Sequence, residues 1–88
     1  MKKLVNVVEV EGEGLVALLG EKVLIMCMNY FYAGTLSGVN DTFIQLEDAQ
    51  IVYDTGKLKT KTWQDAQDLP GTWQVQISSI ESWGVSGR

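Results

Sequence analysis

Residues Gly20 to Tyr53 decide the fold of this chain, and they read GEKVLIMCMNYFYAGTLSGVNDTFIQLEDAQIVY. The stretch begins with an unbroken apolar run, Val23 to Met28, which is too short for a typical helix and has the length of a buried strand. Asn29 marks a tight turn, and aromatic and β-branched residues resume at once from Tyr30 to Leu36. The stretch therefore predicts a series of closely joined β-strands.

Two glycines, Gly34 and Gly38, lie within or at the end of the second predicted strand. A glycine inside a strand usually marks a bend, a bulge or a close approach of another backbone. The sequence therefore predicts an all-β fold, a small and strongly bent antiparallel barrel of about five strands. Before it, Leu15 to Leu19 form either one short helical turn or a continuing strand.

The segment from Asp54 to Gly71 is polar, and it is predicted to be a long loop between the third and fourth strands. Its end, Pro70-Gly71, has the composition of a type II turn. Within the segment, Trp63 is expected to pack back on the barrel or on a neighbouring subunit. If the segment projects as an extended hairpin, three alternating lysines share one face of it: Lys57, Lys59 and Lys61.

The fourth strand is predicted from the alternation of apolar residues with glutamines between Trp73 and Ile77. Ile80 and Trp83 belong to the fifth strand. Residues 1–14 are interpreted as an N-terminal arm or strand, and residues 1–88 as a single domain, since a chain of this length holds one modest core.

The chain has a formal net charge of −4 and a sequence pI near 4.5. This is the wrong sign for a protein that mainly neutralises nucleic-acid phosphates, although a local pocket can still bind single strands. The one cysteine, Cys27, lies in the middle of the first strand, where it is interpreted as a small buried hydrophobe rather than a reactive thiol.

The residue inventory argues against catalysis. The sequence has no histidine, one cysteine and no glycine-rich phosphate loop, which removes the common nucleophile pairs and histidine metal sites. Neither a metal nor a cofactor is expected. No stretch approaches the roughly 20 apolar residues of a membrane span, and the first residues lack the apolar core of a signal peptide, so a cytoplasmic location is the expectation.

The order of short motifs resembles the Sm-like family, which includes the Sm and Sm-like proteins of RNA metabolism and the bacterial RNA chaperone Hfq. The matching elements are Gly20-Glu21-Lys22, Gly34-Thr35-Leu36-Ser37-Gly38, residues 41–46 (DTFIQL) and residues 47–49 (EDA). The family's second motif falls on residues 71–83, GTWQVQISSIESW. Its Arg-Gly pair is replaced by Gln76-Ile77, and Gln45 stands where the family has Asn.

Phe43 and Gln45 are two residues apart on a strand and therefore share a face, where an aromatic ring and an amide can serve one ligand. In the family, the matching aromatic stacks a base and the matching Asn reads it. The resemblance implies that Asp41 supports this site and that Gln76 occupies the position of the family's base-sandwiching Arg. A core position for Phe43 stays open as the alternative.

The resemblance also implies a ring of about five to seven copies, closed by pairing the fourth strand of one subunit with the fifth strand of the next. The residues expected at that interface are Val75, Ile77, Ile80 and Trp83. Two functions follow as hypotheses. The ring binds short single-stranded RNA with weak or altered preference, or it is a structural scaffold that contacts a protein partner through its acidic surface and the 54–71 loop.

Overall fold

The computed structural model describes residues 14–88, so the predicted arm at residues 1–14 lies almost entirely outside the described part. Residues 14–88 fold into six antiparallel strands with two 3₁₀ turns, and the predicted all-β, strongly bent fold is confirmed. The strands are β1 (Lys22–Cys27), β2 (Phe31–Val39), β3 (Phe43–Asp54), β4 (Asp65–Asp68), β5 (Trp73–Gln76) and β6 (Ile80–Val85). The 3₁₀ turns are η1 (Leu15–Leu18) and η2 (Ile77–Ser79).

The sheet order follows from the length of β3. β1, β2 and β3 form a meander, and β6 pairs with the outer edge of β1. The other edge of β3 holds two short strands in succession, with β5 along Phe43 to Leu46 and β4 along Gln50 to Asp54. Within residues 14–88, β5 and β6 each pair on one edge alone, so the barrel stays open between them.

The bend predicted at Gly34 is present, and its cause is a close approach of β3. A Cβ atom built on Gly34 would lie 2.9 Å from the Glu47 carbonyl oxygen and 3.1 Å from the Ala49 Cα. Opposite Gly34 the pairing register shifts, and Asp48 adopts a positive φ of 51°. The extra residue on β3 is a β-bulge, which bends the strand and increases its twist.

The main core lies on one face of this bent sheet. Its fully buried side chains come from β1, β2 and β3, and Val75 of β5 joins them. Leu15 and Leu18 of η1 pack against the same cluster, so the expected N-terminal helical turn is confirmed as a 3₁₀ turn. No helix in the described range is long and apolar enough to cross a membrane.

The segment between β3 and β5 departs from the predicted loop in two ways. It contains a sixth strand, β4, and its three lysines lie in turns rather than along one extended face. The reason is that Asp65–Asp68 can pair with the far end of β3, while residues 55–64 fold back over the sheet. Trp63 packs on its own subunit, as part of a second apolar cluster around Leu24, Ala33 and Val52.

Candidate functional site

Pairing of β3 with β5 places Phe43 directly opposite Gln76 and Gln45 directly opposite Gln74. Ile44 and Leu46, which alternate with Phe43 and Gln45 along β3, are fully buried in the core. Since neighbouring strand residues face opposite ways, Phe43 and Gln45 project from the outer face. Both are half-buried there, so Phe43 is not one of the buried core residues.

The turn before Phe43 is shaped by Asn40. The Asn40 Oδ1 accepts hydrogen bonds from the backbone amides of Thr42 at 2.7 Å and Phe43 at 2.9 Å. The Asn40 backbone amide donates to the Phe43 carbonyl oxygen at 3.0 Å. Asp41 is exposed on this turn, two residues before Phe43. Asn40 was missed in the sequence, although Asn before a turn is a recognised signal for such side-chain to backbone bonds.

A second turn docks against the first. The Ile77 amide, at the start of η2, donates to the Thr42 carbonyl oxygen at 2.9 Å. This bond ties the β2–β3 turn to the β5–β6 turn. As a result, the four residues predicted from the sequence come together at one end of the sheet: Asp41, Phe43, Gln45 and Gln76.

The Gln45 amide belongs to a small polar chain. Its Nε2 donates to the Ser37 hydroxyl at 3.3 Å, and its Oε1 accepts from Gln74 Nε2 at 3.5 Å. Ser37 and Gln74 were not predicted as site residues, because their contact with Gln45 depends on the strand register. This end of the sheet therefore presents the Phe43 ring beside several side-chain amides, with the Asp41 carboxylate on the adjoining turn. Such a surface can stack a planar group and donate or accept hydrogen bonds at its edge.

A cavity of about 270 Å³ lies next to this surface, between β5 and the β1–β2 turn. Gln74, Gln76, Tyr30 and Cys27 are among the residues that line it. Cys27 is buried, as predicted, and burial together with the nearby Glu81 carboxylate raises the pKa of its thiol. Cys27 is therefore a protonated packing residue at neutral pH.

The four residues predicted at a subunit interface differ in their exposure. Val75 is buried in the core of its own subunit, and Ile77 and Ile80 are half-buried against that core. Trp83 keeps 44% of its surface exposed, and Val85, which the sequence reasoning missed, keeps 56% exposed. Trp83 and Val85 are therefore the large apolar side chains that β6 presents to solvent.

Comparison with known proteins rests on structure. The sequence matches no protein-family profile and no curated protein. Among solved structures, the fold is similar to that of a heptameric archaeal Sm protein, whose structure was interpreted for its implications for the eukaryotic snRNP core. The similarity has a TM-score of 0.63 and 19% sequence identity, and it covers 81% of this chain and 93% of the archaeal chain. The chain therefore has the Sm-like fold.

Proposed function

We propose that this protein assembles into a closed ring and binds short single-stranded RNA at the outer-face surface around Phe43, without catalysing a reaction. The observation that carries the proposal is the juxtaposition of Phe43 with Gln76 across β3 and β5, beside the Gln45–Gln74 pair. A base stacked on the Phe43 ring would bring its polar edge to these amides. Stacking contributes about 1–3 kcal/mol per base and needs no positive charge.

The ring part of the proposal is supported by the unpaired edges of β5 and β6. β5 and β6 each leave one edge without a strand partner in the described chain, and an exposed sheet edge tends to pair with another chain. Trp83 and Val85 would lose their exposed apolar surface in such a contact. A head-to-tail contact of β6 with β5 of the next copy closes when the rotation fits a whole number of subunits. The similar archaeal Sm protein is a heptamer.

The charge of the site limits how RNA would be held. Gln76 stands where the Sm-like family has Arg, so the amide plane is kept and the cation is lost. Asp41 adds a negative charge to the neighbouring turn. Binding at this surface should therefore depend on stacking and hydrogen bonds more than on phosphate neutralisation.

Fluorescence polarisation with labelled oligo-U and oligo-A, measured over a series of salt concentrations, tests the proposal. We expect saturable binding of at least one oligonucleotide of about four nucleotides, with a shallow dependence on salt because few counterions are released. Absence of binding to every oligonucleotide at low salt would contradict RNA binding. A ring that fails this test is better explained as a protein-binding scaffold.

A further inference from the structure

The positive charge of the described chain is concentrated away from the cavity beside the Phe43 surface, which no residue of the 55–64 segment lines. Residues 55–64, TGKLKTKTWQ, which we name the lysine loop, contain three lysines and no acidic residue. All three lysine side chains are exposed. The lysine loop follows the last residue of β3, whereas Phe43 is the first, and β3 has 12 residues. At about 3.3 Å per residue, roughly 36 Å of strand separates these two ends, and the bulge at Asp48 makes their distance in space shorter than that.

Arg88 contacts the lysine loop at several points. Its guanidinium donates to the Leu58 carbonyl oxygen at 3.0 Å, the Thr60 hydroxyl at 3.0 Å and the Thr62 carbonyl oxygen at 2.9 Å. The same group stacks on the Trp63 ring, 3.6 Å from its centroid. Trp63 also packs in the second apolar cluster, around Leu24, Ala33 and Val52. The loop therefore contacts both Arg88 and the sheet.

These contacts favour electrostatic binding by the loop, because a loop that is already held loses less conformational freedom when it binds. Lys22 and Arg88, which lie outside the loop, extend the positive region. Lys61 and Arg88 line one cavity of about 380 Å³, and Lys22 and Arg88 line a second of about 190 Å³. Asp65 lines the first cavity and Asp48 the second, so the cavities themselves are of mixed charge. Within the loop the three lysines have no acidic neighbour, and Asp54 and Asp65 flank the loop on either side.

From this arrangement we infer that the lysine loop is a second contact for single-stranded RNA, which binds the phosphate backbone of a strand whose base stacks at Phe43. The inference rests on the proposed function and assigns RNA binding to two separate surfaces. The surface at Phe43 supplies stacking and amides, and the lysine loop supplies the phosphate-neutralising charge that Gln76 does not. RNA fits this division better than an acidic protein does, since a stacking surface and a cationic loop are the two parts of a general single-strand site.

The test compares the salt dependence of binding for a short and a long RNA. An oligonucleotide of about four nucleotides should reach the Phe43 surface alone, and one of about 16 nucleotides should also reach the lysine loop. We expect a steeper slope of log affinity against log salt for the long RNA. Replacing all three lysines with Gln (K57Q/K59Q/K61Q) should reduce that slope by about 2, at about 0.7 per lost phosphate contact, and leave the short RNA unaffected.

The matched control is K57R/K59R/K61R, which keeps the charge and should keep the slope. Equal slopes for both RNA lengths, or an unchanged long-RNA slope in the Gln variant, would overturn the inference while binding at Phe43 survived. Failure of the proposed function looks different, because the short RNA would then not bind at all. If the Gln variant lost binding to poly-glutamate but kept the long-RNA slope, the loop would be assigned to an acidic protein and the inference would be wrong.

Discussion

Phe43 and Gln76 face each other as a directly opposed pair on β3 and β5, next to the hydrogen bond from the Ile77 amide to the Thr42 carbonyl oxygen. Side chains of such a pair have Cβ atoms about 4.5–5.5 Å apart, close enough to act on one ligand. The pairing places residues from two separate sequence motifs in one surface. The proposed RNA site depends on this juxtaposition.

Assembly should depend on the free edge of β6. The Ser86 amide donates to the Lys22 carbonyl oxygen on β1, so the amide of the preceding residue, Val85, points toward the free edge. Val85→Pro removes that donor and should convert the proposed ring, expected to contain about five to seven subunits, into smaller species in native mass spectrometry. Val85→Thr keeps both the amide and the β-branched shape and should leave the ring intact. A stable monomer for the wild-type protein at micromolar concentration would rule the ring out.

The bend at Gly34 should be intolerant of a side chain. Because a Cβ atom would lie 2.9 Å from the Glu47 carbonyl oxygen, Gly34→Ala should lower the free energy of unfolding by about 1–3 kcal/mol. Gly38 provides the control, since a Cβ there would make an ordinary contact of 3.6 Å with the Gln45 Cβ. Gly38→Ala should be neutral or stabilise by up to about 1 kcal/mol. Equal urea midpoints for the two variants would show that the close approach at Gly34 has no energetic consequence.

Arg88 should contribute to stability through the geometry of its guanidinium. Arg88→Ala removes the stacking on Trp63 and three hydrogen bonds, and it should lower the free energy of unfolding by about 1–3 kcal/mol. Arg88→Lys keeps the charge but not the planar set of donors, so it should recover less than half of the loss. Full recovery by Lys in urea titrations would mean that charge alone anchors the lysine loop.

Introducing a cation opposite Phe43 should strengthen RNA binding. With an RNA of about four nucleotides, Gln76→Arg should tighten binding and steepen the salt slope by about 0.7, the value for one added phosphate contact. Gln67→Arg adds the same charge on β4, which pairs with the far end of β3. It should change neither the affinity for the short RNA nor the salt slope. Equal effects of the two variants would indicate that overall charge, and not the position opposite Phe43, controls binding.

The parts of the fold that were predictable are those with a local signal. The apolar run at Val23 to Met28 predicted β1, and Gly34 predicted the bend, because each depends on residues close in sequence. β4 was not predictable, since Asp65–Asp68 has the sequence DAQD and little strand propensity of its own. Its pairing with the exposed far end of β3 determines its conformation, and no local pattern contains that information.

The candidate site divides in the same way. The period of two along a strand is enough to place Phe43 and Gln45 on one face of β3. The polar chain from Ser37 through Gln45 to Gln74 depends on how three strands align. Two register shifts between β2 and β3 set that alignment, and the positions of these shifts could not be predicted from the sequence. Ser37 and Gln74 therefore emerged from the structure alone.

The most direct test of the central claim is the affinity of Phe43→Ala for a short single-stranded RNA, measured beside its oligomeric state. Loss of one stacked base should weaken binding by about 1–3 kcal/mol, or roughly 5–150-fold, while native mass spectrometry still shows the wild-type oligomer. Tyr53→Ala, which removes an exposed aromatic at the far end of β3, should bind like wild type. Wild-type affinity in Phe43→Ala, with the oligomer intact, would contradict the proposed site.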